Sequence, residues 1–122
     1  MANELKVTIT AEYTPDYGSG FKYSKTFKAD VTGDPAHMDN VQTVGTTEEA
    51  ILLGDVATGG YWIIENLDPT NFVEIRSGTG ATDIIRVGAG KAALVHISSD
   101  AAAPFAIADT AAVKVRFIRL PA

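Results

Sequence analysis

Apolar and polar residues alternate with a period of two along most of this chain of 122 residues. From Leu5 to Tyr13, every second residue is apolar, and the residues between them are Lys, Thr or Glu. Successive side chains of a β-strand point to opposite faces, so this pattern predicts a strand with one buried and one polar face. Residues 21–31 repeat the pattern, with Lys25 as the exception on the apolar face. The alternation therefore predicts that the chain folds as β-sheet.

Clusters of Gly, Pro, Asp and Ser divide the chain into short segments. The clusters at 15–20 and 32–35 end the first two strands, because these residues favour turns. The alternation then predicts strands at 41–45, 61–67, 72–75, 82–87, 92–97 and 113–118, with a small-residue loop at 98–104. Segment 46–53 is ambiguous: Thr46 and Glu49 fit a helix capping box, but an apolar run of one turn favours a strand.

Four of the predicted strands are expected to form two β-hairpins, at 61–67 with 72–75 and at 82–87 with 92–97. The first pair flanks residues 68–71. The second pair flanks residues 88–91, where glycines supply the positive φ of tight turns. Asn66 and Asn71 bracket the first turn, and we expect them to form local hydrogen bonds.

Eight or nine short strands, with turn signals about every 8–12 residues, predict an all-β antiparallel fold, either a sandwich or a barrel. No long helical segment or internal repeat interrupts the strands. The length matches a single domain, so we expect one β-sandwich domain over residues 1–122.

The composition excludes several classes of site and partner. The chain has no cysteine, which rules out disulfides, thiolate metal sites and thiol nucleophiles. Its formal net charge of −5 disfavours nucleic acid, and Lys22, Lys25 and Lys28 are divided between two strand faces. The first residues lack signal-peptide features, and no apolar run approaches the roughly 20 residues of a membrane span. We therefore expect no nucleic acid or membrane partner, and synthesis in a cytoplasm.

The glycine-rich segments match no phosphate-binding motif in full. Ser77–Asp83 begins like a dinucleotide-binding fingerprint, but Asp83 stands at the third glycine and no helix is predicted to follow. Gly88–Lys91 ends like a phosphate-binding loop, but Ile85 stands at its first glycine and Ala92 at the magnesium-ligating Ser or Thr. Both segments are interpreted as turns, so we predict no cofactor-binding residue.

No group of residues in the sequence suggests catalysis or metal binding. His37 lies in a predicted loop and His96 in an apolar strand, and no carboxylates are spaced to complete a metal site. His96 with Ser98–Asp100 contains the residue types of a hydrolytic triad but no nucleophile elbow. We predict no catalytic residue, no metal and no cofactor. A glycosidase carboxylate pair from distant strands and sugar binding by Tyr61 or Trp62 stay open.

Segment 61–67 is apolar on both of its faces. One face carries Tyr61 and the other carries Trp62, each beside an isoleucine. Such a strand is buried on both sides. In a two-layer sandwich its second face needs cover from the same chain or from another subunit. Tyr61, Trp62 and Phe72 are therefore the predicted contact residues for a partner or a second subunit.

The segment GYWIIENLDPTNFVEI, Gly60–Ile75, resembles a recurring segment of small bacteriophage virion proteins. In those proteins a Gly-aromatic strand runs into Asn-Leu-Asp and then into Thr-Asn-aromatic-Val-Glu-Ile. A Gly-x-Gly hairpin, a small-residue loop and a final alternating strand follow, here Gly88–Gly90, Ser98–Thr110 and Val113–Leu120. The resemblance covers roughly Gly54 to Leu120, and the N-terminal half is similar only in style.

The resemblance implies both a fold and a function. It is to capsid decoration, or cement, proteins with a jelly-roll β-sandwich, so it implies a non-enzymatic protein on the exterior of a bacteriophage capsid, made in the host cytoplasm. The expected partner is the major capsid protein at capsomer junctions, and the expected homo-oligomer is a trimer that matches three-fold junctions. A phage tail or head–tail component and a carbohydrate-binding β-sandwich module are the alternatives.

Overall fold

Every regular element in the part of the chain that the structure describes is a β-strand. The structure is a computed structural model and describes residues 5–30, 37–52, 60–77, 85–97 and 104–120. These ranges contain ten strands: β1 (Leu5–Tyr13), β2 (Phe21–Ala29), β3 (Met38–Val44), β4 (Glu49–Ala50), β5 (Gly60–Asn66), β6 (Val73–Arg76), β7 (Ile85–Val87), β8 (Ala92–Ile97), β9 (Phe105–Ala108) and β10 (Val113–Leu120). The prediction of an all-β antiparallel fold is confirmed, with ten strands in place of eight or nine.

The strands pair into three antiparallel sheets. Strands β1 and β2 form a two-stranded hairpin. The other two sheets have four strands each, in the order β3-β10-β5-β8 for sheet I and β4-β9-β6-β7 for sheet II. The hairpin belongs to one compact unit and sheets I and II to a second. The expectation of one β-sandwich domain over residues 1–122 stays a prediction.

Sheets I and II share one hydrophobic core, which gives this unit a sandwich-like character. Each sheet contributes side chains from the inward face of its strands, in the alternation that the sequence predicts. The Trp62 ring meets the Phe117 ring edge to face, with centroids 6.5 Å apart. The core residues are Val44, Ile51, Trp62, Ile64, Val73, Ile75, Val87, Ala106, Ala108, Val113, Val115 and Phe117.

The two predicted hairpins are wrong, because their strands lie in different sheets. Strand β5 pairs with β10 and β8 in sheet I, whereas β6 pairs with β7 and β9 in sheet II. Likewise β7 lies in sheet II and β8 in sheet I. Residues 68–71 and 88–91 therefore carry the chain from one sheet to the other. Turn-forming residues serve a hairpin and a sheet-to-sheet connection equally well, so the local signal did not distinguish them.

The connection between β5 and β6 is held by the buried side chain of Asn66. Its Nδ2 donates hydrogen bonds to the carbonyl oxygens of Asn71, at 2.8 Å, and Val87, at 3.0 Å. Its Oδ1 accepts a hydrogen bond from the backbone N–H of Asp68 at 2.9 Å. One amide thus joins the end of β5 to the connection and to the end of β7. The predicted local hydrogen bonding of Asn66 and Asn71 is confirmed.

Asp68 orders the same connection from its exposed side. Its Oδ2 accepts hydrogen bonds from the backbone N–H groups of Asn71, at 2.7 Å, and Thr70, at 2.9 Å. These bonds, led by the one from Asn71, lower the pKa of Asp68 because they stabilise its charged form. The Asp68 carboxylate therefore orders the exposed side of the connection, and the Asn66 amide holds its buried side.

The segment after residue 45 forms a short strand and no helix. Strand β4 spans two residues, Glu49–Ala50, so the strand alternative for segment 46–53 was the better one. The Glu49 carboxylate accepts a hydrogen bond from the N–H of Gly45 at 3.0 Å. The Gln42 side chain donates to the carbonyl oxygen of Ala50 at 3.0 Å and accepts from the N–H of Leu52 at 2.9 Å.

Strand β9 was not predicted from the sequence, where a small-residue loop was placed through this part of the chain. It is a central strand of sheet II and pairs with both β4 and β6. Its inward residues, Ala106 and Ala108, are too small to stand out as a hydrophobic strand pattern, yet both are buried. Residues 98–103 of the predicted loop lie outside the described residues. No helix within the described ranges is long and apolar enough to cross a membrane.

Replacing Asp68 with Asn is expected to reduce stability at neutral pH and to have little effect in acid. The folded-state pKa of Asp68 is lowered, so its stabilising contribution is present above the unfolded pKa of about 3.9 and is lost as the pH falls through the folded value. Urea unfolding of Asp68→Asn and the parent chain at about pH 7 and pH 2 measures the two differences. Asp109→Asn, at an exposed position, is the control, and an equal loss at both pH values contradicts the prediction.

Candidate functional site

Five large exposed hydrophobic side chains cluster at the end of the β1–β2 hairpin, a surface that we call the aromatic tip. They are Ile9, Tyr13, Tyr17, Phe21 and Tyr23, with 39%, 63%, 93%, 59% and 45% of their surface exposed. The other large exposed hydrophobic residues among those described are Val41, Leu52 and Leu67, which lie in separate parts of the second unit. The aromatic tip is therefore the main concentration of exposed apolar side chains in the described structure.

The strand register places four of these residues on one face of the hairpin. Tyr13 stands directly opposite Phe21, Tyr23 opposite Ala11, and Ile9 opposite Lys25. Directly opposed residues share a face, so these pairs form three consecutive rows. The rows are about 7 Å apart, because a strand rises about 3.4 Å per residue. The tip is a continuous apolar strip up to the row of Ile9 and Lys25. Beyond that row the same face continues with Val7 opposite Phe27 and Leu5 opposite Ala29, and there Leu5 and Val7 are buried.

The opposite face of the hairpin is polar along its whole length. The hydroxyls of Thr8 and Thr26 lie 3.0 Å apart and form a cross-strand hydrogen bond. Near the tip, Glu12 stands opposite Lys22. This face suits water, so the two faces of the hairpin differ sharply in polarity.

Two glycines shape the turn that carries Tyr17. Gly18 has a φ of 88°, a left-handed conformation that L side chains rarely adopt. A Cβ added to Gly20 would lie 2.9 Å from the carbonyl oxygen of Tyr13. The turn closes tightly for these reasons and leaves the Tyr17 ring almost fully exposed.

The size and composition of the aromatic tip are those of a binding surface. Taking about 200 Å² for a complete aromatic side chain, the four exposed rings present about 500 Å². The largest apolar patch on a typical monomer covers about 300–600 Å² and is often functional. Tyr and Phe are enriched at protein interfaces, and Tyr is common among the residues that dominate binding energy. The arrangement can bind an apolar surface.

The outward face of sheet I carries a stacked pair of rings and an exposed ion pair. The rings of Tyr61 on β5 and His96 on β8 are stacked, with centroids 4.1 Å apart. Arg116 on β10 forms a two-pronged ion pair with Asp39 on β3, at 2.9 and 2.7 Å. The hydrogen bond from Arg116 lowers the pKa of Asp39, and Asp39 in turn raises the pKa of Arg116. Because this pair is exposed to solvent, its contribution to stability is small.

The three predicted contact residues do not form one surface. Trp62 has 1% of its surface exposed and packs in the core, so it offers almost no area to a partner. Tyr61, its neighbour on β5, is half-buried on the outward face of sheet I. Phe72 precedes β6 and is also half-buried, with the Arg86 guanidinium 3.9 Å above its ring centroid.

The alternation in β1 and β2 was predicted correctly from the sequence, but the tip was not singled out. The apolar face of each strand was expected to be buried. The signal that was available is the run of aromatic residues on both sides of the turn, at Tyr13, Tyr17, Phe21 and Tyr23. Aromatic residues are enriched in strands in general, and at interfaces they are enriched over the rest of the protein surface.

The described residues hold no arrangement that indicates catalysis or metal binding. Within them, no group of three or more His, Cys, Asp and Glu side chains could hold a metal ion. Gly88–Lys91 is a turn, with the N–H of Lys91 bonded to the carbonyl of Gly88 at 3.0 Å and Gly90 at a φ of 69°. Gly78–Asp83 and Ser98–Asp100 lie outside the described residues.

Comparisons with known proteins leave the chain without a match: no protein-family model, no curated protein and no solved structure is similar to it. The exposed aromatic surface and the resemblance of Gly60–Ile75 to virion proteins are therefore the two features that bear on its function.

Trp62→Ala is expected to destabilise the fold strongly, whereas Tyr61→Ala on the opposite face of β5 is a mild change. Removing a fully buried Trp side chain costs about 3–5 kcal/mol, and a half-buried Tyr should cost about 1 kcal/mol. Chemical denaturation of both variants measures the difference in the free energy of unfolding. If Trp62→Ala were as stable as Tyr61→Ala, the placement of Trp62 in the core would be incorrect.

Proposed function

We propose that this chain is a non-enzymatic structural protein of a bacteriophage particle that binds the outer capsid surface and stabilises the shell. The aromatic tip is the observation that supports a role in assembly. It exposes about 500 Å² of aromatic surface, and a patch of this size is favourably buried against a partner in a larger assembly. The assignment to a virion rests on the resemblance of Gly60–Ile75 to small virion proteins.

A jelly roll is the topology we propose for strands β3 to β10. Their arrangement as two four-stranded antiparallel sheets in the orders β3-β10-β5-β8 and β4-β9-β6-β7 supports it. So does the path of the chain, since among these eight strands β6 and β7 are the consecutive pair that shares a sheet. The other consecutive strands lie in different sheets, which is the expected result when two Greek keys are wound into a sandwich.

The segment that resembles virion proteins supplies the framework of this unit. Gly60–Ile75 contains β5, part of β6 and the connection between the two sheets. The residues that carry the resemblance have structural tasks here, since Trp62 fills the core and Asn66 holds the connection. A framework joined in this way resists deformation, which suits a protein that reinforces a shell.

Reinforcement of a capsid needs many weak contacts rather than a reaction. Each copy at a capsomer junction would add buried area that opposes separation of the capsomers, and a specific contact buries on the order of 1,000 Å² or more. Copies on a symmetric lattice add avidity. The proposed partner is the major capsid protein, and the proposed oligomer is a trimer that matches three-fold junctions. Tyr61 and Phe72 remain the predicted capsid contacts.

A carbohydrate-binding module is a second candidate, and the exposed tyrosines favour it. Tyr13, Tyr17 and Tyr23 each present a ring with a polar hydroxyl to solvent. Rings of this kind bind surfaces that are apolar in one part and polar in another, as sugars are. Another position in the virion, in the tail or at the head–tail junction, is compatible with the same framework.

Purified protein is expected to bind capsids of its phage that lack decoration, at a fixed and saturable ratio. Co-sedimentation over a range of protein concentrations measures that ratio, and light scattering of the protein alone gives its oligomeric state. Tyr61→Ser should weaken binding about tenfold if Tyr61 is a contact, as for an interface residue that costs about 1.4 kcal/mol. Leu67→Ser, at an exposed position away from Tyr61 on the outward face of sheet I, is the matched control.

Protein that ignores these capsids and binds a glycan array would overturn the proposal in favour of the carbohydrate-binding candidate. Protein that polymerises into rings or tubes and ignores capsids would place it in the tail.

A further inference from the structure

We propose that the aromatic tip binds the aromatic tip of a second copy of this chain, with the two hairpins antiparallel about a two-fold axis. The inference deepens the proposed function, because it names a contact between copies. It rests on the hairpin, however, and does not require that the chain binds a capsid. Its test uses the protein without any partner.

The half of the hairpin next to its turn needs an apolar layer to pack against. Leu5 and Val7, at the other end of the same face, are buried with 8% of their surface exposed, whereas an isolated two-stranded sheet is marginally stable in water. Within the described structure, Ile9, Tyr13, Phe21 and Tyr23 stay between 39% and 63% exposed on that face. A second tip supplies a layer of the same polarity and the same width.

The area of the tip is sufficient for a reversible contact between two copies. On the shared face, Ile9, Tyr13, Phe21 and Tyr23 present about 400 Å² per copy, so two strips packed face to face bury about 800 Å². This is below the roughly 1,600 Å² of a standard interface and in the range of weak, transient contacts. The contact should therefore form and dissociate with protein concentration.

Charge complementarity selects the antiparallel arrangement. In the antiparallel arrangement the two-fold axis passes through the row of Ala11 and Tyr23, which therefore lies over itself. The row that contains Lys25 then lies over the row of Tyr13 and Phe21 of the other copy. The acidic turn residue Asp16 comes three residues after Tyr13, so Lys25, the one lysine on the apolar face, lies at the end of the strip next to the Asp16 of the other copy. In a parallel arrangement Lys25 would face Ile9 and gain no opposite charge. Lys25 and Asp16 are both exposed and available for this pairing.

The charge balance of the chain also favours contact through the hairpin. Residues 5–30 contain four lysines and three acidic residues, whereas the whole chain has a formal net charge of −5. Two copies therefore repel each other least when their hairpins approach. The apolar strip carries no charge, so its burial leaves no charged group without a partner. The strip consists of Ile9, Ala11, Tyr13, Phe21 and Tyr23.

Charge reversal tests the pairing, because a two-fold contact makes the Lys25–Asp16 interaction twice. Lys25→Glu places a carboxylate opposite the Asp16 carboxylate of the other copy, and Asp16→Lys places an ammonium group opposite Lys25. Each variant alone should therefore bind itself at least tenfold more weakly than the parent chain does. In an equimolar mixture, a dimer of one chain of each variant has opposite charges at both positions. One position pairs the two substituted side chains in reversed order, and the other pairs the unchanged Lys25 with the unchanged Asp16. The mixture should recover the parent affinity.

The expected result is a twofold lower molar mass for each variant and recovery of the parent mass in the mixture. Light scattering and sedimentation velocity across concentrations measure the molar mass in all four samples. The change is from two chains to one, or from six to three if the second unit also forms trimers. Lys28→Glu is the matched control: it makes the same charge change on the same strand but on the polar face, opposite Lys6, and should keep the parent mass.

Two outcomes overturn the inference. One is a parent chain whose mass does not change with concentration and equals that of Lys25→Glu, and the other is a pair of variants whose mixture fails to recover the parent mass. Tyr13→Ser combined with Phe21→Ser provides an independent check, since it removes the apolar contact without changing charge and should also halve the mass. Loss of capsid binding with intact pairing would count against the proposed function and leave the pairing in place.

Discussion

A strand with one apolar and one polar face has to place its apolar face against another apolar layer, and the structure of this chain depends on that constraint. Strands β3 to β10 satisfy it internally, because sheets I and II bury their inward faces against each other in one core. The β1–β2 hairpin has the same alternation but is a single two-stranded layer. The second unit therefore buries its apolar faces internally, whereas the hairpin keeps an exposed aromatic strip. The proposed contact between two copies of the chain follows from this exposed strip.

Stacking two sheets creates a second requirement, since the chain must cross between them without burying unpaired polar groups. The connection from β5 to β6 shows how it is met. Asn66 is buried, but each of its hydrogen-bonding atoms has a partner, and those partners lie on two separate stretches of backbone, the connection itself and the end of β7. A buried amide that is fully satisfied adds specificity to the packing, whereas the loss of its partners would cost about 1–3 kcal/mol for each unsatisfied group. Asp68 orders the exposed side of the same turn.

The sequence predicts the local conformation of this chain well and the strand pairing poorly, for a physical reason. Alternation from Leu5 to Tyr13 and from Val113 to Leu120 identifies strands directly, because side-chain direction repeats every two residues. Pairing depends on which strands meet in space, and residues 68–71 have the same turn chemistry in a hairpin and in a crossing between sheets. Strand β9 was missed because its buried positions are alanines, which pack closely but produce a weak hydrophobic signal.

The candidate contact surface was the least predictable part, and its location shows how framework and contact are divided in this chain. Trp62 is the residue that sequence reasoning most readily assigns to an interface, since it is a large aromatic in a strand that is apolar on both faces. Trp62 packs in the core instead, because it lies on the inward face of β5 and contacts Phe117 edge to face. The segment Gly60–Ile75 therefore explains rigidity, and the exposed aromatic residues lie in the N-terminal part, where the resemblance to virion proteins is one of style. Specificity for a second copy of the chain is accordingly expected to reside in the hairpin, which contributes no residue to the core of sheets I and II.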